Sequence, residues 1–203
     1  MATLLEIPLK DAQESDIQNI RAKYPDATLR IETDSNLHSG EMDEAQFWAI
    51  IGLFDWKTRD ADAILAPAVN ALALLPKSDI EAFHNLMNEK LYALDGQIYA
   101  EQLGSNRYAP DANKGFSVDG FLYARCCVVA NGKVFFEKVL EDPTKMPKEF
   151  TFESLLYLPK MAWALKTGRD NYAYFPETWS ETFSNSNGWP GMVSLKDSLA
   201  DLK

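Results

Sequence analysis

Asp119, Tyr123 and Arg125 lie close together in Ser117 to Pro143, SVDGFLYARCCVVANGKVFFEKVLEDP, the apolar stretch around which the chain is organised. Arg125 shares a helical face with Val118, Phe121, Leu122, Val128 and Val129. A guanidinium left unpaired on such a face costs several kcal/mol. It must therefore meet a carboxylate, backbone carbonyls or an anionic ligand. Asp95, Glu89 and Glu101, on a second long helix, are the acids expected to reach it. Asp119 is on the same helix but about two turns earlier, so the two are not an i,i+4 bridge. Two chemistries follow. One is a structural bridge; the other is a contact to substrate or a small anion in a pocket around Arg125, with Asp119 and Tyr123 sharing a local network four residues apart.

The remaining reactive residue types narrow the field. His38 and His84 are 46 positions apart, with no cysteine or carboxylate at ligand spacing, so no metal site is expected. Cys126 and Cys127 are adjacent, which is not the Cys-x-x-Cys spacing of metal and redox sites, and a vicinal disulfide would be strained. They read as reduced, apolar fillers. The chain has no Gly-x-Ser-x-Gly elbow, phosphate loop, Gly-x-Gly-x-x-Gly or His-Glu-x-x-His. No cofactor is expected, and the common enzyme classes built on those motifs are excluded.

The chain has 203 residues, enough for one large domain or a domain with an appendage, and a net charge of −10. That acidity and the lack of any Lys/Arg run argue against nucleic acid. No apolar run reaches the roughly 18 residues of a membrane span, and the first residues lack a basic start and long apolar region. The expected location is the cytoplasm.

The elements that must position these residues read in order as follows. Thr3–Leu9 and Ala27–Glu32 look like short strands flanking a helix from Glu14 to Tyr24, which predicts a small βαβ-like unit over 1–36. Asp34–Gly40 is a linker. A helical domain follows over 42–168. Its first helix is capped by Asp43 with Gln46 and buries Phe47, Trp48, Ile51 and Phe54. Thr58 reads as the next N-cap, with Pro67 inside the helix it starts. Ile80, Phe83, Met87, Leu91, Leu94 and Ile98 predict one long helix over 80–103, in which Gly96 marks a bend or close packing. Ser117 caps the helix carrying Arg125, and Asn131-Gly132 ends it. Val134, Phe135, Val139 and Leu140 carry a further helix. Another runs from Phe152 to Lys166, kinked at Pro159 and closed by Gly168. Residues 169–203 predict an aromatic tail wrapped on the helices. The fold class expected is α+β, predominantly α-helical.

Asp43 to Leu140 resembles an uncharacterised bacterial family catalogued as domain of unknown function 4240. The resemblance is carried by Phe47-Trp48, Ile80-x-x-Phe83, Asp119-x-Phe121-x-Tyr123-x-Arg125 leading to Val128-Val129 and Gly132, Phe136-Glu137 and Asp142-Pro143. Where the family often has tryptophan after the arginine, this chain has Cys127. The resemblance implies a mostly helical bacterial cytoplasmic domain. The family has no established activity, so no catalytic residue carries over.

The leading functional expectation is a non-catalytic binding or regulatory module, such as an immunity or stress-associated protein, whose acidic surface holds a basic protein partner. Rings of the tail, Trp179 and Trp189 among them, are the candidate partner surface. The alternative is an enzyme or small-anion-binding protein with its pocket at Arg125. The chain is expected as a monomer, or as a homodimer paired through its first strand.

Overall fold

Helix α1 (Glu44–Ile51) begins on a reciprocal cap. The Gln46 amide donates to Asp43 Oδ1 at 2.7 Å, and the Asp43 amide donates to Gln46 Oε1 at 2.9 Å. In this computed structural model residues 42–110 and 115–190 are described, together with Gln18, Ala22 and Lys23. The chain divides into two compact units, Met1–Ser39 and Gly40–Lys203. Among the described residues there is no strand, which overturns the α+β class: the regular structure described in the second unit is helix alone. The strands expected within 1–36 lie outside the described residues. Gln18, Ala22 and Lys23, inside the helix predicted there, are helical.

Six further α-helices follow: α2 (Ala61–Leu74), α3 (Lys77–Ala93), α4 (Gln97–Ala100), α5 (Val118–Ala130), α6 (Lys133–Glu141) and α7 (Leu158–Thr167). Helix α2 starts not at Thr58 but at Asp60, whose carboxylate accepts from the Ala63 amide at 2.8 Å. Thr58 instead accepts from the Asp60 amide. Pro67 lies within an unbroken α2 and faces solvent. Pro159 does not kink a helix; it opens α7 in its first turn, where a missing N–H is harmless, after a 3-10 segment over Glu153–Tyr157.

Helix α3 is the hub and packs against α1, α2, α5 and α7. Ile80, Phe83, Met87 and Leu91 are all buried along its inner side. Each such side chain stabilises the fold by about 1.5–3 kcal/mol relative to its exposed state. Helix α5 is enclosed almost all round, with Phe121, Leu122, Ala124, Arg125, Cys126, Val128, Val129 and Ala130 buried. Gly132, at φ +87°, supplies the left-handed turn between α5 and α6 that a residue with a Cβ adopts only at a cost. In α6 the buried positions are Phe136 and Val139, whereas Val134 is 82% exposed, so the apolar face is rotated from the expected one.

The predicted helix over 80–103 breaks after Ala93. The Asp95 amide bonds Tyr92 O rather than continuing the ladder to Leu91, and Gly96, extended at φ −161°, starts α4. Residues 169–190 then form a strap with no helix except a 3-10 turn at Ser186–Gly188. The strap runs along α3 in the same direction. Tyr172 OH meets His84 Nδ1 at 3.1 Å, the Glu177 amide donates to Asn85 Oδ1 at 3.1 Å, and Asn185 Nδ2 donates to Tyr92 O at 3.3 Å. The strap's end reaches the break itself. A Cβ on Gly188 would overlap the Asp95 carbonyl oxygen and lie 2.9 Å from Gly96 Cα, so two glycine backbones meet there in direct contact.

Candidate functional site

Arg125 and Asp95 are both completely buried, and the break in α3 brings them together. Because the ladder stops there, Leu91 O is left to accept from Arg125 Nη1, at 2.9 Å. Arg125 Nη2 donates to Thr182 Oγ1 at 3.0 Å, and the Thr182 hydroxyl donates in turn to Val118 O at 2.9 Å. The guanidinium lies over the Phe121 ring, 4.7 Å from its centroid. Arg125 Nη1 is 3.9 Å from Asp95 Oδ1, an ion pair longer than a hydrogen bond. Nε of Arg125 has no hydrogen-bond partner. Burial pulls the guanidinium pKa down, and Asp95 opposes that shift.

The Asp95 carboxylate is occupied chiefly by the strap. Oδ1 accepts from the Phe183 amide at 3.2 Å and from Trp189 Nε1 at 3.0 Å, and Oδ2 accepts from the Asn185 amide at 2.9 Å. Phe183 is held at φ +75°, a left-handed conformation unusual for a bulky residue. The hydrogen bond from its backbone N–H to Asp95 and its ring, edge-on to Trp189 at 4.5 Å, hold it there. Trp189 is 2% exposed and is ringed by Tyr108, Phe116, Phe121 and Phe183. It is therefore a core plug and not a partner surface: the aromatic ring finds more apolar area to bury here than the glycines and proline around it suggest.

The other predicted residues do not join this pair. Asp119 is exposed in the first turn of α5. Tyr123 is half-buried, and its phenol pKa is raised by desolvation first and by the Asp119 charge next. Glu101 lies beyond the break, accepting from Gln97 Nε2 at 2.6 Å. Cys126 and Cys127 are free thiols, and burial pushes Cys126 up to about 12, which leaves it protonated and unreactive. No cluster of three or more metal-ligating side chains occurs among the described residues. No helix is long and apolar enough to cross a membrane, again among the described residues.

An open hollow lies on the outer side of α3. Glu89 and Tyr92 of α3 form one wall, and Glu177, Thr178, Trp179 and Ser184 of the strap form the other, around a cavity of about 430 Å³. Trp179 is 64% exposed. The hollow therefore has two carboxylates, two aromatic side chains and no basic residue in its lining. Sequence reasoning singled out Trp179, and Glu89 only as a partner for Arg125. It missed Tyr92 and Glu177, because nothing local joins positions so far apart.

Where the strap leaves α7, His84 packs under Tyr172 and Tyr174, with ring centroids 5.7 and 5.9 Å away. Burial lowers the imidazole pKa from 6.5 to about 4 and raises the Tyr172 phenol. The folded chain thus refuses a proton that the unfolded chain accepts below pH 6.5, so stability falls with acidification across 6.5 to about 4. Thermal melts over that window are expected to show the loss in the wild type and a flatter profile in His84→Gln.

The site and fold together define an all-helical unit over its described residues, built on a buried Arg–Asp pair and closed by an aromatic strap. Residues 42–164 match the family described as Protein of unknown function (DUF4240), and the chain belongs to that family. The match spans α1 to α6, with Asp95 and Arg125, and ends within α7, before the strap. No curated protein and no solved structure matches the chain.

Proposed function

We propose that this domain is a non-catalytic binding module that takes a basic side chain of a protein partner into the hollow between α3 and the strap. The observation that carries this reading is the lining: Glu89 and Glu177 beside Tyr92 and the exposed Trp179, with no lysine or arginine among them. An ammonium or guanidinium over an exposed ring gains about 0.5–1 kcal/mol, rising to about 2 when desolvated. Carboxylates beside the ring add charge complementarity. The net charge of −10 draws a basic partner from a distance, an attraction that salt screens. By contrast, the Arg125 guanidinium is sealed within the core, where an anion would have to displace Leu91, Thr182 and Asp95.

The test is titration of an octalysine peptide into the full chain, followed by tryptophan fluorescence. Saturable binding that weakens with salt is expected, with no binding of octaglutamate. Trp179→Ala is expected to weaken binding about tenfold, and Glu89→Gln with Glu177→Gln at least as much. Octalysine binding that is equal in all these variants overturns the reading.

A further inference from the structure

Four of the hollow's six lining residues come from the strap, and the strap has no regular structure of its own apart from one 3-10 turn. Near the hollow, α3 holds it by side-chain bonds: Asn85 to the Glu177 amide on one side, and Tyr92 O to Asn185 on the other. Its firmest attachment lies just beyond, where Asp95 collects the Phe183 and Asn185 amides and the Trp189 indole. Ser184, which lines the hollow, sits between two residues bonded to that carboxylate. One of the two, Phe183, holds a left-handed backbone there, at φ +75°, with its amide donating to Asp95 Oδ1. The two walls are thus not equivalent: Glu89 and Tyr92 are fixed on a packed helix, while the opposite wall exists only when the strap is seated.

We propose that Asp95 is a positioning residue for the hollow: docking of the 182–189 segment on its carboxylate seats Glu177, Thr178, Trp179 and Ser184 opposite Glu89 and Tyr92, so that seating the strap assembles the site. This rests on the hollow being the binding site for a basic side chain. Unseating the strap removes one carboxylate and the exposed tryptophan from the site at once. By linkage, a ligand that needs both walls holds the strap down as strongly as the strap supports the ligand.

Hydrogen exchange on the full chain, read peptide by peptide, tests this together with octalysine titration. Two variants are used: Asp95→Asn, which turns an acceptor toward a donor, and Gly188→Ala, whose added Cβ crowds the Asp95 carbonyl and Gly96 backbone and replaces neither side chain of the ion pair. Amides of 171–185 are expected to exchange at least tenfold faster in both, while those of α2, α3 and α5 keep most of their protection. Octalysine is expected to bind at least fivefold more weakly to both, and to slow exchange of 171–185 in the wild type. Unchanged strap exchange in both variants overturns the proposal. So does a loosened strap with undiminished octalysine affinity, or an opening in which strap and helices always exchange together. If the wild type does not bind octalysine, the binding reading falls by itself. Exchange of the amides of 177–179, with all native tryptophans in place, then decides the latch: equal exchange with and without Gly188→Ala overturns it.

Discussion

Asp95→Ala is expected to lower the free energy of unfolding by about 3–5 kcal/mol, a large share of the stability of an ordinary domain. The reason is what the carboxylate leaves behind. Arg125 is fully buried, and without Asp95 its charge keeps Leu91 O, Thr182 Oγ1 and the Phe121 ring, and Glu181 as a weaker electrostatic influence. The Phe183 and Asn185 amides and the Trp189 indole lose their acceptor in the same step. Arg125→Met provides the comparison. It removes the charge, keeps most of the side-chain volume, and leaves Asp95 with three donors, so it is expected to cost roughly half as much. Urea denaturation of the two variants measures both values. A loss in Arg125→Met as large as in Asp95→Ala would show that the 3.9 Å pairing, rather than the strap's donors, is what the carboxylate chiefly stabilises.

How much of this was legible follows from which signals are local. A charged residue on an apolar helical face announces a buried partner, so Arg125 stood out, and Asp95 was one of few acids within reach. The caps at Asp43 and Ser117 and the glycine ends at Gly132 and Gly168 depend on a few adjacent residues and were readable for that reason. The break after Ala93 was not. The apolar spacing runs on through Leu94 to Ile98, yet Ile98 is 55% exposed, because the chain has lost its helical phase by then. Gly96 flagged the place, but the cause is tertiary: Gly188 needs the room, and the strap needs the Asp95 carboxylate. Nor did the sequence distinguish Trp179 from Trp189. Both sit among turn-forming residues, and only the packing of Tyr108, Phe116, Phe121 and Phe183 decides which one is enclosed. The hollow joins Glu89 to Glu177 across the length of the helical core's second half, and no periodicity records such a pairing.

Trp189→Ala is expected to cost about 3–5 kcal/mol, the usual loss for removing a large aromatic from a well-packed interior. Trp189 is 2% exposed and is the largest fully buried side chain among the described residues. Its ring stands edge-on to Tyr108, Phe121 and Phe183, at 5.3, 5.8 and 4.5 Å, arrangements worth about 0.5–1.5 kcal/mol each beyond area alone. Trp189→Phe separates the two contributions. It retains much of the apolar contact but withdraws the indole N–H from Asp95 Oδ1, which then keeps the Phe183 amide. A cost of about 1–2 kcal/mol is expected for that variant. The location of the loss matters as much as its size. Because the tryptophan plugs the core from the strap's side, Trp189→Ala should free 171–185 to exchange before α3 and α5 open. A Trp189→Ala protein as stable as the wild type would mean that this ring is not held in the interior, and the strap would lose its anchor with it.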